Sequence, residues 1–412
     1  MLKTSSINLF LRMITLGSKF LLMIFLTKFL SPEEVGIYGV ISTSIGLSIY
    51  LVGLDFYTFN TREILANDSL KTVSLIRDQF VFHFLSYIVF FPILFLLFTL
   101  DIIPLSYIAV FYILLVLEHL SQELNRIFVA LSKPIVANIT LFFRSGAWAY
   151  AAIVLLYSSE GLRELWTVLI GWIIGVLISI ILSIFFLKDL NWRITFGVKV
   201  NWKWITRGLV VAFPLFLGNI AIKLTEYLDR YFLTFYKGNA LVGAYTFYGS
   251  IANLLVIFTQ TGILMILGPK IISSYQKGEI EEYGRYMKKM SFGVVISTFI
   301  ILLFLALAIF PITNIINKPI YVENINAYWI LLLGFAFSVL SLIPHQALYV
   351  RHKDKEIIIA SMISLFVSLI LNIILVKKLG IVGASISTLV AFMTLFLFKC
   401  LFVYKIKQNI KL

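Results

Sequence analysis

The chain has 412 residues, of which 60% are hydrophobic and only 13% charged. A soluble domain is nearer half apolar and a quarter charged, so this composition excludes a soluble enzyme, a nucleic-acid-binding domain and a disulfide scaffold. At about 20 apolar residues per bilayer crossing, the sequence reads as an all-α polytopic membrane protein of about twelve transmembrane helices.

The formal charge is +14, which in a membrane protein points to cytoplasmic loops rich in Lys and Arg rather than to nucleic acid. The single cysteine, Cys400, leaves no disulfide within the chain, no thiol redox pair and no Cys-rich metal site. Met1-Leu2-Lys3 leads into a long apolar stretch broken by Arg12 and Lys19, without a small-x-small cleavage pattern. The first helix is therefore expected to remain in the mature protein.

In chain order, apolar runs predict helices over 7–30, 35–59, 80–100, 104–131, 135–157, 164–187, 208–236, 240–268, 289–312, 327–350, 356–376 and 381–404. The connections carry turn chemistry, as in Ser31-Pro32-Glu33-Glu34, Lys237-Gly238-Asn239 and Lys377-Lys378-Leu379-Gly380. With the N-terminus in the cytoplasm, the inner connections hold 22 of the 34 Lys and Arg and the outer ones 5. That asymmetry predicts both termini on the cytoplasmic side. The long inner segment 188–207, with Asn191-Trp192-Arg193 and Trp202-Lys203-Trp204, reads as an interfacial linker at the headgroups. The expected organisation is an N-terminal six-helix lobe over 1–187, that linker, and a C-terminal six-helix lobe with a short cytoplasmic tail over 208–412.

A shift of 207 residues lays the first helix on the seventh, with seven identities over 20–38. Phe25-Leu26-Thr27 meets Phe232-Leu233-Thr234, and Val35-Gly36-Ile37-Tyr38 meets Val242-Gly243-Ala244-Tyr245. Six helices per half is an even number, so the halves would be parallel repeats about an axis along the membrane normal. That architecture places a substrate site between them near the midplane.

Four stretches carry a family resemblance. They are Leu30-Ser31-Pro32-Glu33-Glu34-Val35-Gly36-Ile37-Tyr38, its echo at Val242-Gly243-Ala244-Tyr245, Asp229-Arg230, and Leu379-Gly380-Ile381-Val382-Gly383-Ala384-Ser385-Ile386-Ser387. Together they resemble the polysaccharide flippases of the Wzx type, within the superfamily that includes the multidrug and toxin extruders. The resemblance implies two lobes around a central cavity, in a bacterial cytoplasmic membrane. It also implies alternating-access transfer of undecaprenyl-pyrophosphate-linked oligosaccharide to the outer leaflet, for O-antigen, capsule or exopolysaccharide. Its partners would be membrane lipids and, in the same pathway, a polysaccharide polymerase or glycosyltransferases. Coupling to protons, to sodium or to neither stays open.

Ionisable residues within spans cost about 2.5–3.5 kcal/mol each on insertion scales and are functional candidates by default. Lys28 and Lys399 fall near helix ends and can snorkel. Lys19, Arg144 and Lys223 fall near mid-span and must face a cavity or a partner; with Arg12 and Arg230 they are the candidate phosphate-binding residues. Asp55, Glu226 and Asp229 are the acids expected within spans and the candidate cation-coupling residues. The surplus of cations suits a pyrophosphate, whereas an exporter of cationic drugs should show the reverse. On the seventh helix Lys223, Glu226 and Arg230 share one face, so a self-neutralising ladder is the rival reading for Lys223. Gly17, Gly208, Pro214 and Gly218 allow bending of the first and seventh helices.

His83, His119, His345 and His352 lie scattered in sequence without zinc spacing, so no metal is expected. His119 and Glu123 read as interfacial polar residues. No phosphate-cradling Gly-rich loop with Lys-Ser/Thr occurs, and no cofactor is expected. Two other functions compete with the flippase: a cation-coupled exporter of small amphiphiles, and a membrane enzyme such as a glycan polymerase or glycosyltransferase. Against the enzyme, the longest outer connection, 313–326, offers only Lys318 and Glu323.

Overall fold

The computed structural model describes residues 2–409 apart from 68 and 189. Among the described residues, twelve helices are long and apolar enough to cross a membrane. In chain order these spans are Phe10–Phe29, Pro32–Gly53, Lys71–Thr99, Leu105–Ala130, Pro134–Ser158, Leu165–Leu187, Trp202–Lys237, Asn239–Gln276, Ile280–Ile316, Ile325–Tyr349, Asp354–Leu379 and Ile381–Ile406.

Local chemistry sets the boundaries. The second span opens on a complete capping box: the Ser31 hydroxyl accepts from the Glu34 N–H while the Glu34 carboxylate accepts from the Ser31 N–H, with Pro32 in the first turn. It ends at Gly53, where Leu54 (φ 45°) and Asp55 (φ 51°) both turn left-handed. Asp tolerates that conformation; Leu does so at a cost of about 1–2 kcal/mol. The turn cuts short the helix expected over 35–59 and leads into a separate short helix, Tyr57–Ala66. Gly238 (φ 83°) breaks the chain between the seventh and eighth spans, where a side chain would be strained.

The expected linker and the long inner connection 269–288 are largely helical. The seventh helix starts at Trp202, the eighth runs to Gln276 and the ninth starts at Ile280. A helix of 36 residues, Trp202–Lys237, is about 54 Å long, well beyond the hydrocarbon thickness of about 30 Å. Charged side chains end the apolar stretch without ending the backbone helix, which is why hydropathy places these boundaries too far inward. Pro214 lies inside the seventh helix without ending it.

The backbone divides into two compact units meeting at Ile220 and Ala221, within the seventh span. In the N-terminal unit the fourth span packs on the sixth and the first on the fifth. Small residues permit the close approach: a Cβ at Gly175 would stand 2.6 Å from Trp148, and one at Gly208 would stand 2.4 Å from the Phe56 ring. Gly208 thus seats an aromatic ring, which accounts for it by packing. Ser121 bonds Ser179 at 2.9 Å, and Ser179 donates to the Thr140 carbonyl at 2.8 Å. In the C-terminal unit the twelfth span packs against the tenth and eleventh. A Cβ at Gly334 would stand 3.1 Å from the Leu389 backbone, and Ser364 donates to the Ala391 carbonyl at 2.7 Å. Phe292, Phe299, Phe304 and Leu307 of the ninth span are exposed, as lipid-facing residues are.

Candidate functional site

Lys19 sits at the middle of the first span with its side chain exposed, and it forms no hydrogen bond or ion pair among the described residues. The charges acting on it are those of Arg144 and Glu118, in the same unit. Arg144 comes from the fifth span, where Phe143–Ala147 form a wide π-helical turn. Its guanidinium pairs with Glu118 of the fourth span at 3.1 Å and donates to the Gln122 side-chain oxygen at 3.2 Å. The other Glu118 oxygen accepts from the Trp172 indole at 2.6 Å. Trp172 in turn stacks on Trp148, and the Trp148 indole donates to the Arg144 carbonyl at 2.9 Å. Arg144 is therefore fixed in direction by three spans, with Lys19 within its electrostatic reach as the uncommitted cation. Arg12 lies on the first span, half-buried.

Glu118 escapes the sequence reading, which counts Asp55, Glu226 and Asp229 as the acids within spans. It is buried at 6% exposure and halves the net charge of the Lys19–Arg144 pair. Its position inside the apolar run 104–131 was the available signal.

In the C-terminal unit Lys223 pairs with Glu226 at 2.7 Å, one turn along the same helix. Arg230 donates to the Glu226 carbonyl at 3.2 Å and lies over the rings of Tyr227 and Tyr245. Gly249 leaves it room, since a Cβ there would stand 3.2 Å from the guanidinium. Asp229 stays in contact with this ladder, its carboxylate 3.7 Å from the Arg230 guanidinium and accepting from the Arg230 N–H at 2.8 Å. It is 1% exposed and accepts from the Tyr245 hydroxyl of the eighth span and from Thr388 of the twelfth at 2.7 Å. Three spans thus converge on one carboxylate. Tyr245 lies in the Val242-Gly243-Ala244-Tyr245 stretch, but nothing local in sequence marks Thr388 as its companion.

Asp55 is buried in the turn after the second span and accepts from the Asn219 amide at 2.8 Å. Burial raises the pKa of its carboxyl from the ordinary value, and that hydrogen bond works in the opposite direction.

Two expectations are corrected. Lys399 does not snorkel: it is 2% exposed, its stem and head enclosed within the C-terminal unit. Lys28, by contrast, is exposed near the end of its span and rests over Phe29. The histidines are not all scattered, and His119 and Glu123 are not interfacial. Both are 1% exposed, and the His83 ring lies 4.6 Å from that of His119. Sequence distance hides this, because the third and fourth spans bring together residues far apart in the chain.

Residues 1–265 match a protein-family model described as "Polysaccharide biosynthesis protein". A protein of Methanocaldococcus jannaschii named "Uncharacterized membrane protein MJ1068" is 28% identical over 201 residues, which cover 47% of this chain and 38% of that protein's length. Among solved structures, a multidrug resistance MATE family transporter of the MOP superfamily, inward-facing, superposes with a TM-score of 0.75 at 13% identity over 98% of both chains. The lipid II flippase MurJ, in an inward closed conformation, superposes with a TM-score of 0.71 at 16% identity, over 98% of this chain and 88% of that one. At these identities the likeness is one of fold.

Proposed function

Because the chain belongs to the polysaccharide biosynthesis protein family, we propose that it is a flippase for polyprenyl-pyrophosphate-linked oligosaccharide, carrying the sugar head group from the cytoplasmic to the outer leaflet by alternating access. Both termini then lie in the cytoplasm, and a reporter fused after Leu412 reads cytoplasmic.

One observation carries the reading: Lys19 holds an exposed, unpaired ammonium at the midpoint of a membrane span. A charge at that depth is costly and is retained where it meets a charge of opposite sign. Arg144, whose charge acts on Lys19, is aimed by Glu118 and Gln122 and supplies a planar donor suited to phosphate oxygens. The roles we assign are phosphate recognition by Lys19 and Arg144, with Arg12, Lys223 and Arg230 as further contacts. Asp229, where Tyr245 and Thr388 oxygens converge with a carboxylate, is the candidate for cation coupling ahead of Glu226 and Asp55. The names of the two solved neighbours differ in cargo, one a multidrug transporter and the other a lipid II flippase; the cation at mid-span favours the anionic cargo.

The test is genetic and chemical together. Deletion should remove surface polysaccharide while lipid-linked units accumulate on the inner leaflet. Complementation by Lys19→Glu or Arg144→Glu should fail, with Lys19→Glu present at normal levels. Full export by a Lys19→Glu protein would overturn the assignment of Lys19. Loss of drug efflux with surface polysaccharide intact would transfer the protein to the exporter reading.

A further inference from the structure

The proposed flippase mechanism leaves one buried polar cluster unused. His83 on the third span faces His119 and Glu123, which lie one turn apart on the fourth. All three are at most 2% exposed. The His83 Nε2 lies 3.7 Å from the Glu123 Oε2, and the His119 Nε2 lies 3.8 Å from the Glu123 Oε1. One nitrogen from each histidine and one carboxylate oxygen all fall within 4.8 Å of one another. We propose that His83, His119 and Glu123 form a binding site for a divalent transition-metal ion of the zinc class, tying the third span to the fourth.

Geometry comes first. Zinc holds imidazole nitrogen and carboxylate oxygen at about 2.0–2.2 Å in a tetrahedron, which sets ligand atoms about 3.4 Å apart. The two histidines approach different Glu123 oxygens, so with either oxygen as ligand one separation exceeds that value by a few tenths of an ångström and the others stay within 4.8 Å. Small side-chain rotations close the difference. Two histidines and one carboxylate are also the donor set of many three-ligand zinc sites that keep a fourth position open.

The surroundings fit a ligand set. The Tyr87 hydroxyl bonds the His119 Nδ1 at 2.7 Å, fixing the ring so that its Nε2 points toward the carboxylate. A hydrogen-bonded far nitrogen is the usual companion of a metal-bound histidine. The His119 Nε2 itself has no hydrogen-bond partner, although a buried polar atom left unmatched costs about 1–3 kcal/mol. Room beside it is kept by Gly53, where a Cβ would stand 3.3 Å from that nitrogen. Gln79 donates to one carboxylate oxygen at 2.5 Å and to the His83 Nε2 at 3.2 Å, its own oxygen held by Asn60, and the bond to His83 has to give way when that nitrogen takes a metal.

Arg126 bears on the same site. It pairs with the Glu123 Oε1 and lies over the Tyr57 ring at 3.5 Å. Its charge opposes a bound cation and lowers the affinity. Asp55 acts electrostatically on both Arg126 and Glu123, which returns part of the negative charge. The rival is a closed hydrogen-bond network centred on Glu123 that holds no ion.

The two readings separate on the full-length protein, purified with a histidine-free tag in lipid nanodiscs and titrated with Co²⁺ alone. The metal site predicts one equivalent bound, with the visible absorption of tetrahedral Co²⁺ and displacement by Zn²⁺. His83→Asn and His119→Gln should each abolish the signal. Tyr87→Phe, which touches only the far side of His119, should keep the signal and weaken binding by about tenfold or more. Zn²⁺ should raise the thermal unfolding temperature of the parent and leave that of His119→Gln unmoved. Folded parent protein that gives no one-equivalent Co²⁺ signal overturns the proposal, however the variants behave. Binding that survives both histidine substitutions overturns it as well.

Discussion

Arg144 finds its carboxylate on a different span, at Glu118, while Lys223 finds Glu226 one turn away on its own helix. The first pair belongs to the N-terminal unit and depends on two spans keeping their depth and rotation. The second belongs to the C-terminal unit and survives any movement of the seventh span as a body. Where a unit neutralises a charge between spans, tertiary packing and charge compensation are one event. Where it does so within a helix, the charge is carried along by the helix. Asp229 combines the two, its counter-charge Arg230 lying on its own helix while the neutral hydroxyls of Tyr245 and Thr388 reach it from two other spans.

Breaking the long-range pair should have the largest effect. Glu118→Gln leaves the half-buried Arg144 without its carboxylate and should cost about 3 kcal/mol, read as a lower unfolding temperature in detergent and less inserted protein. Adding Arg144→Gln should recover most of that loss. A single variant as stable as the parent would show that Arg144 does not rely on Glu118, and the contrast between the units would fall.

Asp229→Asn keeps the shape and removes the charge that Tyr245 and Thr388 address. Hydrogen bonds to a charged group contribute about 1.5–3 kcal/mol, so a stability loss of about 2 kcal/mol is expected, together with failure of export in the complementation assay. Export at the parental rate would remove Asp229 as the coupling residue.

Lys19→Ala should change stability by no more than about 0.5 kcal/mol, because this lysine has no partner to strand, yet export should cease. Lys19→Arg should keep part of the activity, since a cation of similar reach remains. A stable, fully active Lys19→Ala protein would exclude a role for Lys19 in cargo binding.

The smallest change is expected within the ladder. Lys223→Ala should cost about 0.3–0.5 kcal/mol, the usual worth of a helical pair at this spacing. Exchanging the two residues, Lys223→Glu with Glu226→Lys, preserves the pair but moves the cation by one turn. Parental export from the exchanged protein would identify the pair as structural and withdraw Lys223 from phosphate recognition.

The number and order of the spans were legible because each is a long apolar run, and such a run in lipid has only the helix as a way to satisfy its backbone. The Lys223–Glu226 ladder was legible for the same kind of reason: it depends on helical spacing alone. Glu118 with Arg144, and His83 with His119, depend on which faces of two helices meet, which is set by the packing of many side chains at once. The left-handed turn at Leu54–Asp55 also lacks a local mark, since leucine gives no sign of adopting it. Lys399 was misread because distance from a helix end says nothing about which way the side chain leaves the helix.

The wide turn at Phe143–Ala147 has a consequence for how the fifth span must be counted. An α-helix advances 100° per residue, and a π-turn absorbs one residue more than an α-turn. The apolar pattern on the two sides of Arg144 is therefore out of phase by one residue, like a thread recut halfway along a screw. Removing one residue from this turn would restore a uniform helix. The N-terminal half of the span would then swing by about 100° relative to the half that seats Trp148 beside Gly175. Arg144, at the junction, would lose its bearing on Glu118 without any change in its own chemistry. The direction of this arginine is thus written in the length of the helix, and a one-residue indel there would act as a mutation of the charge itself.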